Sequence, residues 1–260
     1  MNKVHASLLG VGAGLALALA VTPANADGYE RRGLKDAPCC DTWKGFYLGL
    51  HAGYGWKDND FAEVIQTNPL LTIGGIDSRG WLFGGQAGYN WQRGSVVGGL
   101  EIDFSKSNIR GNSTPVVRNF AGGLTITDIE GDDVKYLGSV RGRLGFTPGG
   151  GCCSNFLLYA TAGLAWERVD RIDTERVVTP AVTQTATTRD PRDWFGWVAG
   201  VGAEAKLGSS NWIGRIEYLH YDFGTVEAST TVTSTGGGGF ADSAGKQTIE
   251  VVRAAVSYKF

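Results

Sequence analysis

Histidines and acidic residues are the side chains of this chain that could perform acid–base chemistry. His51 and His220 lie within strand-like segments, and Asp222 follows His220 closely. A hydrolase would pair such a histidine with a carboxylate or a serine, so the hypothesis fails if neither histidine has one within hydrogen-bond distance. A lone histidine in a strand is more often structural. Gly-x-Ser-x-Gly, His-Glu-x-x-His and nucleotide-binding motifs are absent, so we predict no enzymatic activity and no cofactor.

Four cysteines occur as two adjacent pairs, Cys39-Cys40 and Cys152-Cys153. In an oxidising compartment, one or two disulfides between these pairs would be stable. A metal site of four thiolates is the alternative, but adjacent cysteines lack the two-residue spacing that is usual in such sites. The pattern favours disulfides of open connectivity and predicts no bound metal.

Ten charged residues occupy alternate positions of strand-like segments, which places them on one face of each strand. These residues are Glu101, Asp103, Glu167, Glu204, Glu217, Arg141, Arg143, Lys206, Arg215 and Arg253. An eight-stranded barrel is only wide enough for side chains to fill its interior. We therefore predict that these acids and bases pair in a narrow or plugged lumen. A charged ring that tunes a small pore is the alternative.

The elements that would position these residues are eight segments with the two-residue period of strands. Their approximate bounds are 46–56, 80–92, 95–106, 134–146, 156–168, 194–207, 211–223 and 249–260. Each segment is long enough to cross a bilayer when tilted. Glycine is abundant, with 40 residues, and methionine is scarce, with 1, which favours close-packed strands over a helical bundle.

Short and long connections alternate strictly between these segments. The short ones include Arg93-Gly94 and Gly208-Ser-Ser210, whereas roughly 23–27 residues fill each long one. Polar runs such as 128–133, 183–190 and 234–239 indicate exposed loops. The alternation predicts an all-β fold, an eight-stranded antiparallel up-and-down transmembrane β-barrel with short periplasmic turns and four long extracellular loops.

Tryptophans lie mostly near the ends of the predicted strands, as in the aromatic girdles of membrane barrels. The girdle candidates are Trp56, Trp81, Trp91, Trp166, Trp197 and Trp212. Core aromatics of a soluble fold are the alternative. The seventh segment leaves lipid-facing and lumen-facing sides open, because Arg215 and Glu217 share a face with Leu219, Tyr221 and Phe223. A bulge or a strand end above the membrane would account for this.

The start of the chain has the features of an export signal. Lys3 precedes an apolar run over 6–21, and Ala24-Asn-Ala26 is a small-residue cleavage site. We predict a signal peptide over 1–26 cleaved after Ala26, a periplasmic segment over 27–45 and a barrel over 46–260. The sequence beyond residue 26 has no long apolar stretch that predicts a transmembrane helix. The net charge of −2 gives no indication of nucleic-acid binding.

Several phrases together resemble one family. These are Trp43-Lys-Gly-Phe-Tyr-Leu-Gly49, Gly84-Gly-Gln-Ala-Gly-Tyr-Asn-Trp91, Ser139-Val-Arg-Gly-Arg-Leu-Gly145, Leu158-Tyr-Ala-Thr-Ala-Gly-Leu-Ala165, Glu217-Tyr-Leu-His-Tyr-Asp-Phe-Gly224 and Val252-Arg-Ala-Ala-Val-Ser-Tyr-Lys-Phe260. They are similar to the small outer-membrane β-barrel proteins of alphaproteobacteria, a porin-like family that includes surface antigens of brucellae and haemin-binding proteins of bartonellae. The resemblance covers nearly all of the predicted mature chain.

The resemblance implies a barrel in the cell outer membrane, in contact with outer-membrane lipid. It also implies insertion by the barrel-assembly machinery, which reads the last strand with Tyr258 and Phe260 as the assembly signal. We expect a mainly structural or surface role. A small-solute pore is one alternative, and a surface protein that binds an extracellular ligand such as haem, or that adheres through its loops, is the other. The sequence predicts neither a specific ligand nor an oligomeric state.

Overall fold

The computed structural model describes residues 42–59, 62–65, 71–73, 76–113, 115–148, 154–234 and 237–260. This part of the chain forms eleven strands: β1 Gly45–Asn59, β2 Ala62–Ile65, β3 Leu71–Ile73, β4 Ile76–Arg93, β5 Val96–Asn112, β6 Val116–Phe120, β7 Leu124–Phe146, β8 Phe156–Val178, β9 Thr183–Lys206, β10 Trp212–Ser234 and β11 Gly237–Lys259. Within the same ranges, no helix has the length and apolar character needed to span a membrane.

Eight of these strands close into a ring. The order is β1, β4, β5, β7, β8, β9, β10 and β11, each antiparallel to its neighbours, and β11 returns to β1 from Tyr47 opposite Lys259 to Trp56 opposite Glu250. Closure leaves no unpaired edge in this part of the wall, as lipid requires. The eight-stranded up-and-down barrel predicted from the sequence is confirmed.

The short strands β2, β3 and β6 lie at the extracellular end of the ring. β2 pairs with β11 and with β3, and β6 pairs with the start of β7. At the opposite end, residues 94–95 and 207–211 connect consecutive ring strands. These are the short periplasmic turns. Gly94 and Gly208 have φ angles of 61° and 67°, a left-handed backbone that glycine adopts without strain.

Much of each long extracellular connection is itself strand. Residues 128–133 and 183–190, which the sequence analysis treats as loop, lie within β7 and β9. β8 and β9 pair from Phe156 to Val178, so that only residues 179–182 form the turn between them. Residues 183–189 are exposed on both faces of β9, and polar residues therefore occupy successive positions. The period of two is lost there although the strand continues.

The seventh predicted segment lies in β10, and the residues whose direction the sequence left open all face the lumen. Arg215 and Glu217 lie low in β10, and Leu219, Tyr221 and Phe223 follow them on the same buried face. The bulge suggested by the sequence lies at the upper end of this face, between Asp222 and Thr225, and includes Phe223. The charged and apolar residues share a face because the lumen itself changes from polar to apolar along its length.

The interior of the barrel is therefore layered. A lower apolar cluster of Trp43, Val97, Leu157, Tyr159 and Ile213 lies at the periplasmic end. An upper apolar cluster includes Leu82, Ile109, Leu137, Val198 and Leu219. Most of the buried charged residues lie between these two clusters, whereas Glu167, Lys57 and Asp132 lie at the height of the upper one.

Candidate functional site

Four arginines and four carboxylates form the middle layer of the lumen. They are Arg141, Arg143, Arg215, Arg253, Glu101, Asp103, Glu204 and Glu217. Strands β5, β7, β9, β10 and β11 supply them, and each residue is at most 6% exposed. With four charges of each sign, the network has a formal charge of zero. Balance matters here, because removing an ion from water costs several kcal/mol unless a partner compensates.

Glu101 is the most connected member of this charge network. Its Oε2 lies 2.6 Å from Nη1 of Arg215 and 3.5 Å from Nη1 of Arg143, and its Oε1 accepts a hydrogen bond from Arg141. The Tyr47 hydroxyl donates a further hydrogen bond to Oε2 at 2.6 Å. Oε1 also lies 3.6 Å from Nη2 of Arg253, so this one carboxylate contacts four guanidinium groups. Arginine suits this arrangement, because its planar group presents five donors.

Glu217 and Asp103 connect the remaining arginines. Glu217 Oε2 lies 2.6 Å from Arg253 Nη2, and its Oε1 lies 3.2 Å from Arg141 Nη1. Asp103 Oδ1 accepts from Arg253 Nη1 at 3.1 Å. The contacts run across the lumen from β7 to β10 and from β5 to β11, so the network occupies its cross-section.

Two tyrosines complete the packing around Arg143 and Arg215. Both arginines contact Glu204 Oε1 at 2.7 Å. The guanidinium carbon of Arg143 lies 4.0 Å from the ring centroid of Tyr159, a cation–π geometry, and both guanidinium groups lie 5.6 Å from the ring of Tyr47. Tyr159 also donates to Glu217 Oε1 at 2.8 Å.

Glycines make room for these tyrosines. A Cβ on Gly88 would lie 2.3 Å from the Tyr47 hydroxyl, and a Cβ on Gly202 would lie 2.4 Å from the Tyr159 hydroxyl. Either contact is closer than side chains tolerate. Gly88 and Gly202 are therefore needed for the two tyrosines to pack against the charge network.

Trp43 closes the lumen below the network. It precedes β1 and is fully buried; its backbone N–H donates to Gln92 Oε1 at 2.8 Å, and its indole N–H donates to the Ser154 carbonyl at 3.0 Å. The end of the predicted periplasmic segment therefore folds into the barrel mouth. The aromatic ring packs in the lower apolar cluster with both of its polar groups satisfied.

Two of the ten predicted charged residues lie away from the network. Glu167 is buried on β8 above it, where Gln247 donates to Oε1 at 2.6 Å. Lys206 is half-buried at the periplasmic end of β9 and forms no ion pair with the residues that the structure describes. A separate buried pair, Lys57 with Asp132 at 2.8 Å, lies higher in the lumen. The alternation gives the face of each residue but not its height.

Both histidines have polar partners. His51 is buried, with Nδ1 2.6 Å from Gln86 Oε1 and Nε2 2.7 Å from Ser105 Oγ. His220 faces outward and approaches Glu250 Oε1 at 2.5 Å. The sequence condition for an enzyme, a serine or carboxylate within reach, is therefore met. Among the described residues, no group of three or more His, Cys, Asp or Glu side chains is placed to hold a metal ion.

The six girdle tryptophans all face outward. Trp91 and Trp212 lie at the periplasmic ends of their strands, and Trp56, Trp81, Trp166 and Trp197 lie higher on the wall. Trp212 contacts Tyr258, which contacts the exposed Phe260 at 5.2 Å between ring centroids. The Phe260 N–H donates to the Phe46 carbonyl at 2.9 Å. The assembly signal proposed for these last residues thus lies on the outer wall at the β1–β11 seam.

Several site residues were missing from the sequence prediction. Tyr47, Tyr159 and Trp43 face the lumen, and the alternation within 46–56 and 156–168 could have identified the two tyrosines. The strand pattern does not mark Trp43, because it precedes the predicted strand; its one signal is its place at the start of a phrase that resembles the family. The four cysteines and the signal peptide with its cleavage site lie outside the described residues.

A closed ring of antiparallel strands with an apolar outer wall and a filled interior defines a transmembrane β-barrel of the outer membrane. Residues 11–260 match the family described as outer membrane protein beta-barrel domain, and the chain belongs to that family. The 31 kDa outer-membrane immunogenic protein of Brucella melitensis is 30% identical over 224 residues, 84% of each chain. The 22 kDa outer membrane protein of Rhizobium leguminosarum bv. viciae is 32% identical over 184 residues, 70% of this chain and 65% of the relative.

Solved barrels were also similar at low identity. The outer membrane protein OprG of Pseudomonas aeruginosa has a TM-score of 0.42 and 13% identity, covering 84% of this chain and 97% of its own. The attachment invasion locus protein Ail of Yersinia pestis has a TM-score of 0.33 and 10% identity, covering 84% of this chain and 99% of its own.

Proposed function

We propose that this protein is a closed, non-enzymatic barrel that anchors extracellular hairpins in the outer membrane. The observation that carries the proposal is the charge-balanced network, which is packed between two apolar clusters across the whole lumen. An ion that entered would have to separate buried ion pairs and then pass clusters of buried apolar side chains. Both steps are costly, because unpaired charges are strongly disfavoured in such surroundings.

A small cavity in the upper lumen is also in keeping with a closed barrel. A cavity of about 20 Å³ lies above the upper apolar cluster, lined by Asp132, Val169, Arg171, Trp194 and Gln247, together with Arg192. This volume accommodates about one water molecule. It does not provide a path for a sugar or an amino acid.

The environment of the histidines argues against catalysis. His51 and Ser105 form a nucleophile–base contact, but both are buried inside the wall, and the third partner is the neutral Gln86. A substrate has no access to that serine without disruption of the barrel. His220 lies on the outer wall beside Glu250 and Trp197 and has no serine or cysteine partner among the described residues. The names of the relatives describe outer-membrane immunogenic proteins and no reaction.

The extracellular hairpins support a surface role. β8 and β9 continue paired well beyond Trp166 and Trp197, and the turn at 179–182 closes with Thr179 N–H donating to the Val182 carbonyl at 2.8 Å. Such rigid projections suit contact with molecules outside the cell. Relatives with the word immunogenic in their names are in keeping with this exposure. Ligand binding or adhesion by these hairpins is the second candidate function.

Proteoliposome swelling with arabinose and with glycine distinguishes a closed barrel from a small-solute pore. We expect no swelling above protein-free vesicles, and swelling that rises with protein content would refute the closed barrel.

For the surface role, the variant is a shortened hairpin in which Asn-Gly replaces residues 173–188, between the paired Ile172 and Arg189. Haemin titration of both proteins tests the ligand: loss of binding in the shortened barrel supports a hairpin site, and equal binding argues against it.

A further inference from the structure

The outer wall of the barrel has an uneven distribution of charge just above the membrane. On β4 and β5, outward positions form three successive rows: Arg79 opposite Arg110, Trp81 beside Asn108, and Phe83 opposite Lys106. Rows of this kind lie about 6.6 Å apart. Three cations therefore surround an exposed tryptophan at the level where girdle aromatics meet lipid headgroups.

Two of these three cations have no acidic partner among the described residues, and the third shares its partner. Arg79 and Lys106 are exposed and form no ion pair with any residue in the described part of the chain. Arg110 lies 3.0 Å from Asp133 Oδ2, an atom that it shares with Lys135. Like charges directly opposite on neighbouring strands destabilise a sheet. The facing of Arg79 and Arg110 thus favours an external anion between them, although the exposed Asp77 lies two residues above Arg79.

The other outer wall, from β8 to β11, has the opposite character. Arg168 lies 3.7 Å from Asp193, and Lys246 lies 3.1 Å from Asp222. Glu250 accepts from the Tyr218 hydroxyl at the same level. The described cations at this level, Arg168 and Lys246, have acidic partners, unlike Arg79 and Lys106.

We propose that the β4–β5 outer wall binds the phosphate groups of a phosphorylated glycolipid of the outer leaflet through Arg79, Lys106 and Arg110. A lipid is the occupant, because the site lies on the lipid-facing side of the wall with Trp81 and Phe83 exposed between the cations. Arginine binds phosphate in a bidentate manner, and the long lysine stem extends along apolar surface toward the headgroups. The acyl chains would lie against the apolar residues below.

The test uses the intact protein in detergent and two variants with the same change in charge. Arg79→Gln with Lys106→Gln removes the unpaired cations, and Arg168→Gln with Lys246→Gln removes two acid-paired cations at the same level. Both variants alter only outward side chains, and retention of the folded band on an unheated electrophoresis gel checks the barrel. Diphosphorylated lipid A in mixed micelles is titrated against each protein.

We expect the first variant to bind diphosphorylated lipid A about 30-fold more weakly, because each cation at an anionic lipid surface contributes about 1 kcal/mol. The second variant should change affinity by less than about threefold. Equal losses in both variants would overturn the proposal. So would equal affinity of the wild-type protein for dephosphorylated lipid A or for phosphatidylglycerol, since either would remove the preference for glycolipid phosphate. Competition by millimolar inorganic phosphate to completion would show a free-anion site instead of a lipid site.

Discussion

The membrane half and the extracellular half of the long strands share one backbone and follow different side-chain rules. In β8, residues from Phe156 to Val169 alternate between exposed and buried, whereas residues 170–178 are exposed or half-exposed on both faces. In the lower half, one face of the strand contacts lipid and the other faces a packed lumen. In the upper half, both faces contact water. The alternation of buried and exposed side chains thus depends on the surroundings of the strand, and the strand continues where the alternation is lost.

The two halves also differ in what a substitution should cost. In the lower half each side chain meets either lipid or a packed interior, so charge and volume are both constrained. In the upper half most side chains meet solvent, where changes usually cost less than about 0.5 kcal/mol. Matched substitutions in the two halves test this contrast.

The largest effect is expected from Glu101→Gln. The change removes one of the four negative charges and leaves the buried network with one uncompensated positive charge, which should lower the free energy of unfolding by about 3–5 kcal/mol. Urea unfolding of the barrel in lipid vesicles measures this quantity. Glu175→Gln, on the exposed part of β8, is the control and should cost less than about 0.5 kcal/mol. Similar costs at both sites would mean that the network does not stabilise the lumen.

A charge on the lipid-facing wall should have the next largest effect. Leu50 is 74% exposed on the outer face of β1, between Phe46 at the periplasmic end and Trp56 of the upper girdle. Leu50→Arg should cost about 2–4 kcal/mol, because an arginine near the bilayer midplane loses its hydration. Thr185→Arg, on the exposed part of β9, should be nearly neutral. The same unfolding measurement applies, and a neutral Leu50→Arg would place this position outside the membrane.

A smaller effect is expected when the room beside Tyr159 is removed. Gly202→Ala introduces a Cβ against the Tyr159 hydroxyl and should cost about 1–3 kcal/mol through overpacking. Gly98→Ala is the control, since a Cβ there meets nothing within 4 Å. If the two alanine variants unfold at the same urea concentration, the tyrosine does not require the glycine.

The same contrast explains what the sequence could reveal. Alternation predicted an inner face for Glu101, Asp103 and Arg141, and all three are buried in the lumen, because the lower half imposes two different environments on each strand. It could not show that residues 183–190 are strand, since both faces of β9 are wet there. It also could not give the height of Glu167, which depends on strand stagger around the ring.

Other features depend on contacts between distant parts of the chain. Trp43 fills the periplasmic mouth through bonds to Gln92 and Ser154, which lie 49 and 111 residues away in sequence. Local patterns carry no information about such contacts. The sequence also left open whether Leu219 in the seventh segment faces lipid or lumen. The reason is again non-local, because residues from several strands together determine where the lumen changes from a charged to an apolar layer.

Conductance of the purified protein in planar bilayers tests the closed lumen most directly. Wild-type barrels, with folding checked by their gel mobility, should give no reproducible current steps in molar potassium chloride, because the paired charges and the two apolar clusters occupy the cross-section. Regular, steady-state steps whose number rises with the amount of inserted protein would contradict this account, since ions would then cross a lumen that these side chains are expected to close.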